Sequence, residues 1–195
     1  MTGVFSVISD EIVRCPLCGG VLVYRNKRLR RRKTLLGEVI RLYLRRFRCE
    51  TCNKLHTEIP NIIQPYKHYD SETIQTVLDG NADSAGCPAD ESTIRRWKAD
   101  FEESEADLSQ RLLSVCARIT DEILPIKATT APVTFIRTVY EHWLAVVMEL
   151  LINNGHRIRT RFAFCPSVPP ARVVSGSTIF DKGGRKNDKT IADSG

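Results

Sequence analysis

The sequence predicts an α+β protein, an N-terminal β-hairpin followed by a mainly α-helical region. Three observations predict it. The pairs Cys15/Cys18 and Cys49/Cys52 enclose stretches rich in Val, Ile, Tyr and Leu, the composition of strands. Beyond Pro60, apolar residues recur three and four positions apart, the spacing of helices that bury one face. Asp, Ser, Gly and Pro stand where those helices would start and stop.

At 195 residues, with 42% hydrophobic and 27% charged, the chain has the composition of a soluble globular protein, and collagen-like or wholly disordered classes are excluded. No apolar run reaches the roughly 18 residues of a membrane-spanning helix, and the longest, Trp143 to Met148, is flanked by Glu141 and Glu149. Met1 to Arg14 lacks the basic start, apolar stretch and small-residue cleavage site of a secretory signal, so the expected compartment is the cytoplasm. In that reducing environment seven cysteines, four of them in two C-x2-C pairs, point to metal ligation rather than disulfides.

The first element is Cys15-Pro16-Leu17-Cys18-Gly19-Gly20, whose Cys18 is separated by 30 residues from the start of Cys49-Glu50-Thr51-Cys52. Each C-x2-C turn aims two sulfurs into one tetrahedron, and two turns supply the four soft ligands of structural zinc at Cys15, Cys18, Cys49 and Cys52. Gly19 suits such a turn because it adopts a positive φ readily. A rubredoxin-like iron site uses the same geometry, but such carriers tend to be small and acidic. Four thiolates leave no open position for catalysis. With Zn²⁺ bound they would lower the formal charge from +6 to about +4. His56 is expected as a strand histidine near the metal, and Cys87, Cys116 and Cys165 as inert thiols.

Between the knuckles, Val21–Tyr24 and Val39–Arg48 read as strands joined near Lys33–Gly37, and a hairpin bringing the two cysteine pairs together is a zinc ribbon. Alternation puts Ile40, Leu42 and Leu44 on one face and Arg41, Tyr43 and Arg45 on the other. From Arg25 to Arg48 there are 11 Lys or Arg against Glu38 alone, a local +10 in a chain whose remainder carries −4. Such a patch is either a solvated face or a phosphate-binding one. The candidate nucleic-acid contacts are Arg28, Arg30, Arg31, Arg32, Lys33, Arg41, Arg45, Arg46 and Arg48, since guanidinium groups fork onto phosphate oxygens and guanine edges.

The prolines at 60 and 65 mark a module boundary. A helix over about 71–79 is capped by Asp70 or Ser71 and stopped by Gly80. A second starts at Asp90, with Ile94, Trp97 and Phe101 inward and Arg95, Arg96 and Lys98 outward, a pattern like a DNA-recognition helix. Too little chain lies between Gly80 and Asp90 for the full middle helix of a standard helix-turn-helix, so this segment is abbreviated. Ser104–Leu124, with Leu108, Leu112, Val115 and Ile119 inward, reads as a third helix. Pro132–Ile152, with Phe135, Val139, Tyr140, Trp143, Val146, Val147 and Leu150 inward, reads as a fourth, and the two are expected to pair over residues 125–131. His142 and His156 are expected to be structural or exposed. From Pro166 the composition turns to Pro, Ser, Gly and Lys, and residues from about 172 read as a disordered tail. The expected organisation is a ribbon at 12–60, a helix-turn-helix-like segment at 61–103, a helical hairpin at 104–165 and a tail at 172–195.

The segments Cys15–Gly19, Arg45–Cys52, His56–Pro60 and Pro65–Tyr69 resemble the N-terminal zinc ribbon of insertion-sequence transposases. They resemble more closely a family of short, uncharacterised proteins of Gram-positive bacteria that share this head. The resemblance covers about residues 12–101. It implies zinc on the four cysteines and a helix-turn-helix-like segment around Ile94 and Trp97 that binds DNA ends. The 94 residues after Phe101 are too few for a transposase catalytic domain, so strand transfer does not carry over. The function expected is a non-enzymatic DNA-binding accessory or regulatory protein, its partner double-stranded DNA. The competing expectation is a protein-interaction module docking on a polymerase or a second subunit, with homo-oligomerisation also open.

Overall fold

The computed structural model describes residues 4–7, 14–118, 131–157, 162–165 and 180–181. The described residues form a mixed α+β arrangement of one six-stranded sheet and four helices. The spine of the sheet is β3 (Val39–Cys49), against which β2 (Leu22–Lys33) pairs antiparallel from Leu22↔Cys49 to Lys33↔Val39, with an irregularity between Tyr24 and Asn26. This is the expected hairpin, but its first strand runs on through the whole arginine cluster.

The other edge of β3 is shared. There β4 (Leu55–Glu58) pairs antiparallel with Arg46–Arg48, and β1 (Val4–Val7) pairs parallel with Arg41–Tyr43. Two short strands extend the sheet, β5 (Phe162–Phe164) on β4 and β6 (Phe180–Asp181) on β1. The last lies inside the segment expected to be a disordered tail. Sequence composition could not find it, because two residues carry no periodicity and their pairing partner is more than 170 positions away.

Alternation along β3 holds as expected. Leu42 and Leu44 are buried, and with Ile59, Ile63, Ile152 and Ala163 they form a core between sheet and helices. The helical layer behind this inner face begins with α1 (Ser71–Leu78), capped by Asp70, whose carboxylate accepts from Thr73 N at 2.9 Å. Residues 79–90 contain no helix. Asp90 then caps α2 (Glu91–Cys116) in the same way, accepting from Thr93 N at 2.8 Å.

Two helix boundaries differ from expectation. The break expected near Ser104 is absent: α2 runs unbroken for 26 residues, and the Ser104 hydroxyl donates to Asp100 O within the helix rather than capping a new one. Conversely, Pro132–Ile152 is two helices, α3 (Pro132–Val139) and α4 (Trp143–Asn153), because Tyr140 is extended. The break turns Val139 outward, 57% exposed, and lets Trp143 bury its ring while its indole N–H reaches Asp79 Oδ1 at 3.1 Å. The connection expected at 125–131 and the inward Ile119 lie outside the described residues, apart from Ala131.

The helices share a second core of Ile74, Val77, Trp97, Leu112, Ile136, Trp143 and Val147. In the linking helix, α4, Leu144, Val147 and Leu151 face the other helices, and Ile152 and Met148 face the sheet. None of the described helices is long and apolar enough to cross a membrane.

Candidate metal centre and cationic ribbon

The two cysteine turns are built alike. In the first, Gly19 N donates to Cys15 O (2.8 Å) and Cys15 N to Gly20 O (2.9 Å). In the second, Asn53 N donates to Cys49 O (3.0 Å) and Cys49 N to Lys54 O (2.9 Å). The residue after the second cysteine is left-handed in both, Gly19 at φ +70° and Asn53 at φ +61°. Glycine takes that conformation without strain, and asparagine is one of the few others that does so readily.

These turns bring the Sγ atoms of Cys15, Cys18, Cys49 and Cys52 within 4.8 Å of one another. Two of the contacts run across the two knuckles, Cys15 to Cys52 at 3.7 Å and Cys18 to Cys49 at 3.5 Å. With Zn–S bonds of about 2.3 Å, the sulfurs of a regular tetrahedron stand roughly 3.8 Å apart, so these spacings fit such an ion and are far too long for disulfides. The four cysteines therefore form a cluster able to hold a metal ion, and all four are unbridged.

The thiols are electrostatically unequal. Burial pushes Cys15 up to about 12, whereas the backbone N–H of Cys52, 3.4 Å from Cys49 Sγ, helps bring Cys49 down to about 6. His56, expected near the metal, is fully buried with Nε2 3.3 Å from Cys15 Sγ. Burial depresses its pKa, against a smaller opposing effect of the Ala163 backbone. The knuckles are wedged between other elements. A Cβ added at Gly20 would stand 2.8 Å from Thr51 Cβ and 3.0 Å from Cys49 Sγ, and one at Gly155, just beyond α4, would stand 2.8 Å from Pro16 O. The remaining cysteines are apart from this cluster: Cys87 packs against the helical core, Cys165 is buried and Cys116 is half-buried. His142 is exposed and His156 lies beside Arg118.

The structure divides the arginines of the ribbon. Register places Arg28, Arg30 and Arg32 on the inner face opposite Leu44, Leu42 and Ile40, and Lys27, Arg31 and Lys33 on the outer face opposite Arg45, Arg41 and Val39. Arg30 donates from Nη2 to the carbonyls of Gln64 (3.1 Å) and Lys67 (2.5 Å). Arg32 lies 4.0 Å from Asp70, and its burial lowers its pKa against the pull of Asp70 and Glu72. Lys33 donates to Pro88 O at 3.3 Å, Arg46 to Asn26 Oδ1 at 2.7 Å, and Arg45 forks onto the buried Glu58 with two bonds of 2.7 Å. These five are engaged in holding the fold.

Arg28, Arg31, Arg41 and Arg48 are exposed and, among the described residues, form no ion pair or side-chain hydrogen bond. On α2, Arg95 pairs with Glu91 at 3.1 Å, Arg96 reaches only Thr93 Oγ1 at 3.5 Å, and Lys98 is exposed. These three belong to the helical layer and not to the ribbon. The outer face holds further residues that composition did not single out: Tyr24, Lys27 and Leu29, all exposed, with Lys27 Nζ 4.5 Å from the Tyr43 ring centre. The signal for them was the strand register, which follows once the two cysteine pairs are required to meet.

Comparison with known families adds one match: the family described as "Domain of unknown function (DUF6431)" matches residues 15–97. That stretch begins on the first cysteine of the cluster and ends on Trp97, the buried anchor that α2 sets against Tyr69, so it contains both knuckles, the whole ribbon and α1. No curated protein matches the chain, and no solved structure matches it.

Proposed function

We propose that this chain is a zinc-stabilised DNA-binding protein of accessory or regulatory type, with a transposase-like head and no catalytic role. The observation that carries the reading is the division of the ribbon arginines. Five cations of the cluster are used inside the protein, and Arg28, Arg31, Arg41 and Arg48 remain exposed on a scaffold held at one end by four cysteines. Unneutralised guanidinium groups projecting from a paired sheet suit a polyanion, because each can fork onto phosphate oxygens without first breaking an ion pair within the protein. Zinc is the metal of choice for a closed tetrathiolate site with a structural role.

The helix-turn-helix-like part of the reading carries less weight. Helices α1 and α2 are joined by residues 79–90, well beyond the three or four residues of that motif's turn. Arg95, Arg96 and Lys98 are therefore assigned an auxiliary phosphate contact, and the ribbon the main one.

Metal analysis on purified protein should return about one zinc per chain. Four phosphates neutralised on a duplex give a salt slope near −3.6, so DNA affinity should fall about 150-fold between 50 and 200 mM salt. Binding that ignores salt, or no binding, contradicts the reading. A partner protein retained after Arg28, Arg31, Arg41 and Arg48 are changed to Gln, with DNA never bound, would favour the interaction-module alternative.

A further inference from the structure

The outer face of the hairpin carries a pattern that phosphate binding alone leaves unused. Among the side chains on it are Tyr24, Lys27, Leu29 and Arg31 from β2, and Arg41 and Tyr43 from β3. Tyr24 is 53% and Leu29 44% exposed, and Lys27, Arg31 and Arg41 are exposed too. Tyr43 is half-buried, directly opposite Leu29. Side chains on one face of a strand recur every two residues, about 6.7 Å, so flat or apolar groups alternate with cations along the ribbon.

Two features bear on what covers this face. Arg31 stands directly opposite Arg41, a like-charge cross-strand pair that costs stability unless an anion lies over both. No carboxylate among the described residues pairs with either. The exposed Tyr24, the half-buried Tyr43 and Leu29 lie among these cations and not in a separate apolar patch, so an apolar protein surface would have to desolvate the arginines, while a bare polyanion would leave the rings without a stacking partner. A nucleic acid offers both chemistries, but a duplex hides the faces of its bases in the stack. An unpaired strand exposes base faces and phosphates together, and alternating rings and cations are how sequence-tolerant single-strand sites are made.

We infer that this outer face binds single-stranded nucleic acid, with bases stacked on Tyr24 and Tyr43 and phosphates held by Lys27, Arg31 and Arg41. The inference rests on the nucleic-acid reading above and narrows it to a strand state and a face. Leu29 packs beside the base on Tyr43, and Lys27, already over that ring, moves off it toward the phosphate.

Fluorescence anisotropy on the full, zinc-loaded chain tests it, with a 12-nucleotide oligo-dT, a 12-base-pair duplex and inorganic polyphosphate as probes at 100 mM salt. The single strand should bind more tightly than the duplex and resist competition by polyphosphate. Tyr43→Ala should weaken single-strand binding about 5- to 150-fold, the range for loss of one stacked base, and leave duplex binding within about twofold. Tyr43→Phe should restore the affinity, and Arg31→Gln/Arg41→Gln should flatten the salt slope by about 1.4. Tyr24→Ala, at a more exposed site, supplies the same test should Tyr43→Ala lose its zinc or its thermal transition. A duplex bound as tightly as the single strand, tyrosine variants without effect, or full competition by polyphosphate overturns the inference and leaves the DNA reading standing. Absence of binding to any probe overturns both.

Discussion

Gly20 is the position at which the metal centre is most exposed to a single added methyl group. It is needed for room. The ideal Cβ of an alanine there would lie 2.8 Å from Thr51 Cβ, closer still to the Thr51 hydroxyl, and 3.0 Å from Cys49 Sγ. The hydroxyl can rotate away. Thr51 Cβ cannot, because it is fixed to the turn between Cys49 and Cys52, so relief requires the two knuckles to separate. Overpacking of this kind costs about 1–3 kcal/mol, and here it is taken up by the sulfur geometry, so Gly20→Ala should weaken metal binding about 5- to 150-fold. Gly19 is the control. Its φ of +70° is matched by Asn53 in the second knuckle, and nothing lies within 4 Å of its would-be Cβ, so Gly19→Asn should stay within about threefold of wild type. Competition for zinc against a chromogenic chelator at fixed pH measures both. If Gly20→Ala holds zinc as tightly as wild type, the knuckles do not abut as described and the argument from this contact fails.

The Arg45–Glu58 pair should behave as a largely buried ion pair: Glu58→Ala removes the forked carboxylate from a guanidinium only 28% exposed and should lower stability by about 3 kcal/mol in urea unfolding, while the double change Arg45→Met/Glu58→Leu should recover most of it. Asp90 supplies a pH test. The hydroxyl of Ser92 and the N–H and hydroxyl of Thr93 hold its carboxyl down at about 2 from an ordinary 3.8. A depressed acid stabilises the fold fully above 3.8 and loses that contribution as pH falls through 2. The stability gap between wild type and Asp90→Ala, followed by far-UV circular dichroism from pH 5 downward, should therefore be constant above pH 4 and narrow toward pH 2. A gap that widens on acidification would show that the carboxylate is not the capping species.

What could be read from the chain before its structure was whatever is encoded at short range. The cysteine spacing fixes the knuckles because the hydrogen bonds of each turn lie within six residues. Two-residue alternation fixes which faces Leu42, Leu44, Arg41 and Tyr43 take. Asp70 and Asp90 announce α1 and α2 through bonds to residues three positions on. Long-range partners were not legible. Arg30 is tied to Lys67 O and Arg32 to Asp70, each nearly forty positions away, so nothing in the run Arg30-Arg31-Arg32 tells which guanidinium is spent. The end of α3 is of the same kind: the residues from Val139 to Trp143 keep a helical apolar pattern, yet the chain breaks at the extended Tyr140, and the contact that goes with the break, Trp143 to Asp79, spans 64 positions. Four of the six strands are two to four residues long, too short to show a period.

The metal cluster and the cationic face are connected through strand register. Cys49 is the last residue of β3 and stands opposite Leu22, so the knuckles clamp the open end of the hairpin, while the turn before Gly37 closes the other end. In a ribbon, a slip of one residue in one strand exchanges all its faces. A slip of β3 would send Leu42 and Leu44 outward and drive Arg41, Tyr43 and Arg45 toward Ile59 and Ile63, separating Arg45 from Glu58. A slip of β2 would expose Arg30 and Arg32 and bury Arg31 in their place. With so many similar cations in a row, β2 has few side chains that distinguish one register from the next. Four sulfurs held within 4.8 Å do distinguish them, because Cys49 can reach Cys18 in only one alignment. The metal on this account does no chemistry at the cationic face. By holding the register, a metal on the four cysteines would select which arginines are available there, so loss of a cysteine should abolish the proposed nucleic-acid binding even where every ribbon cation is intact.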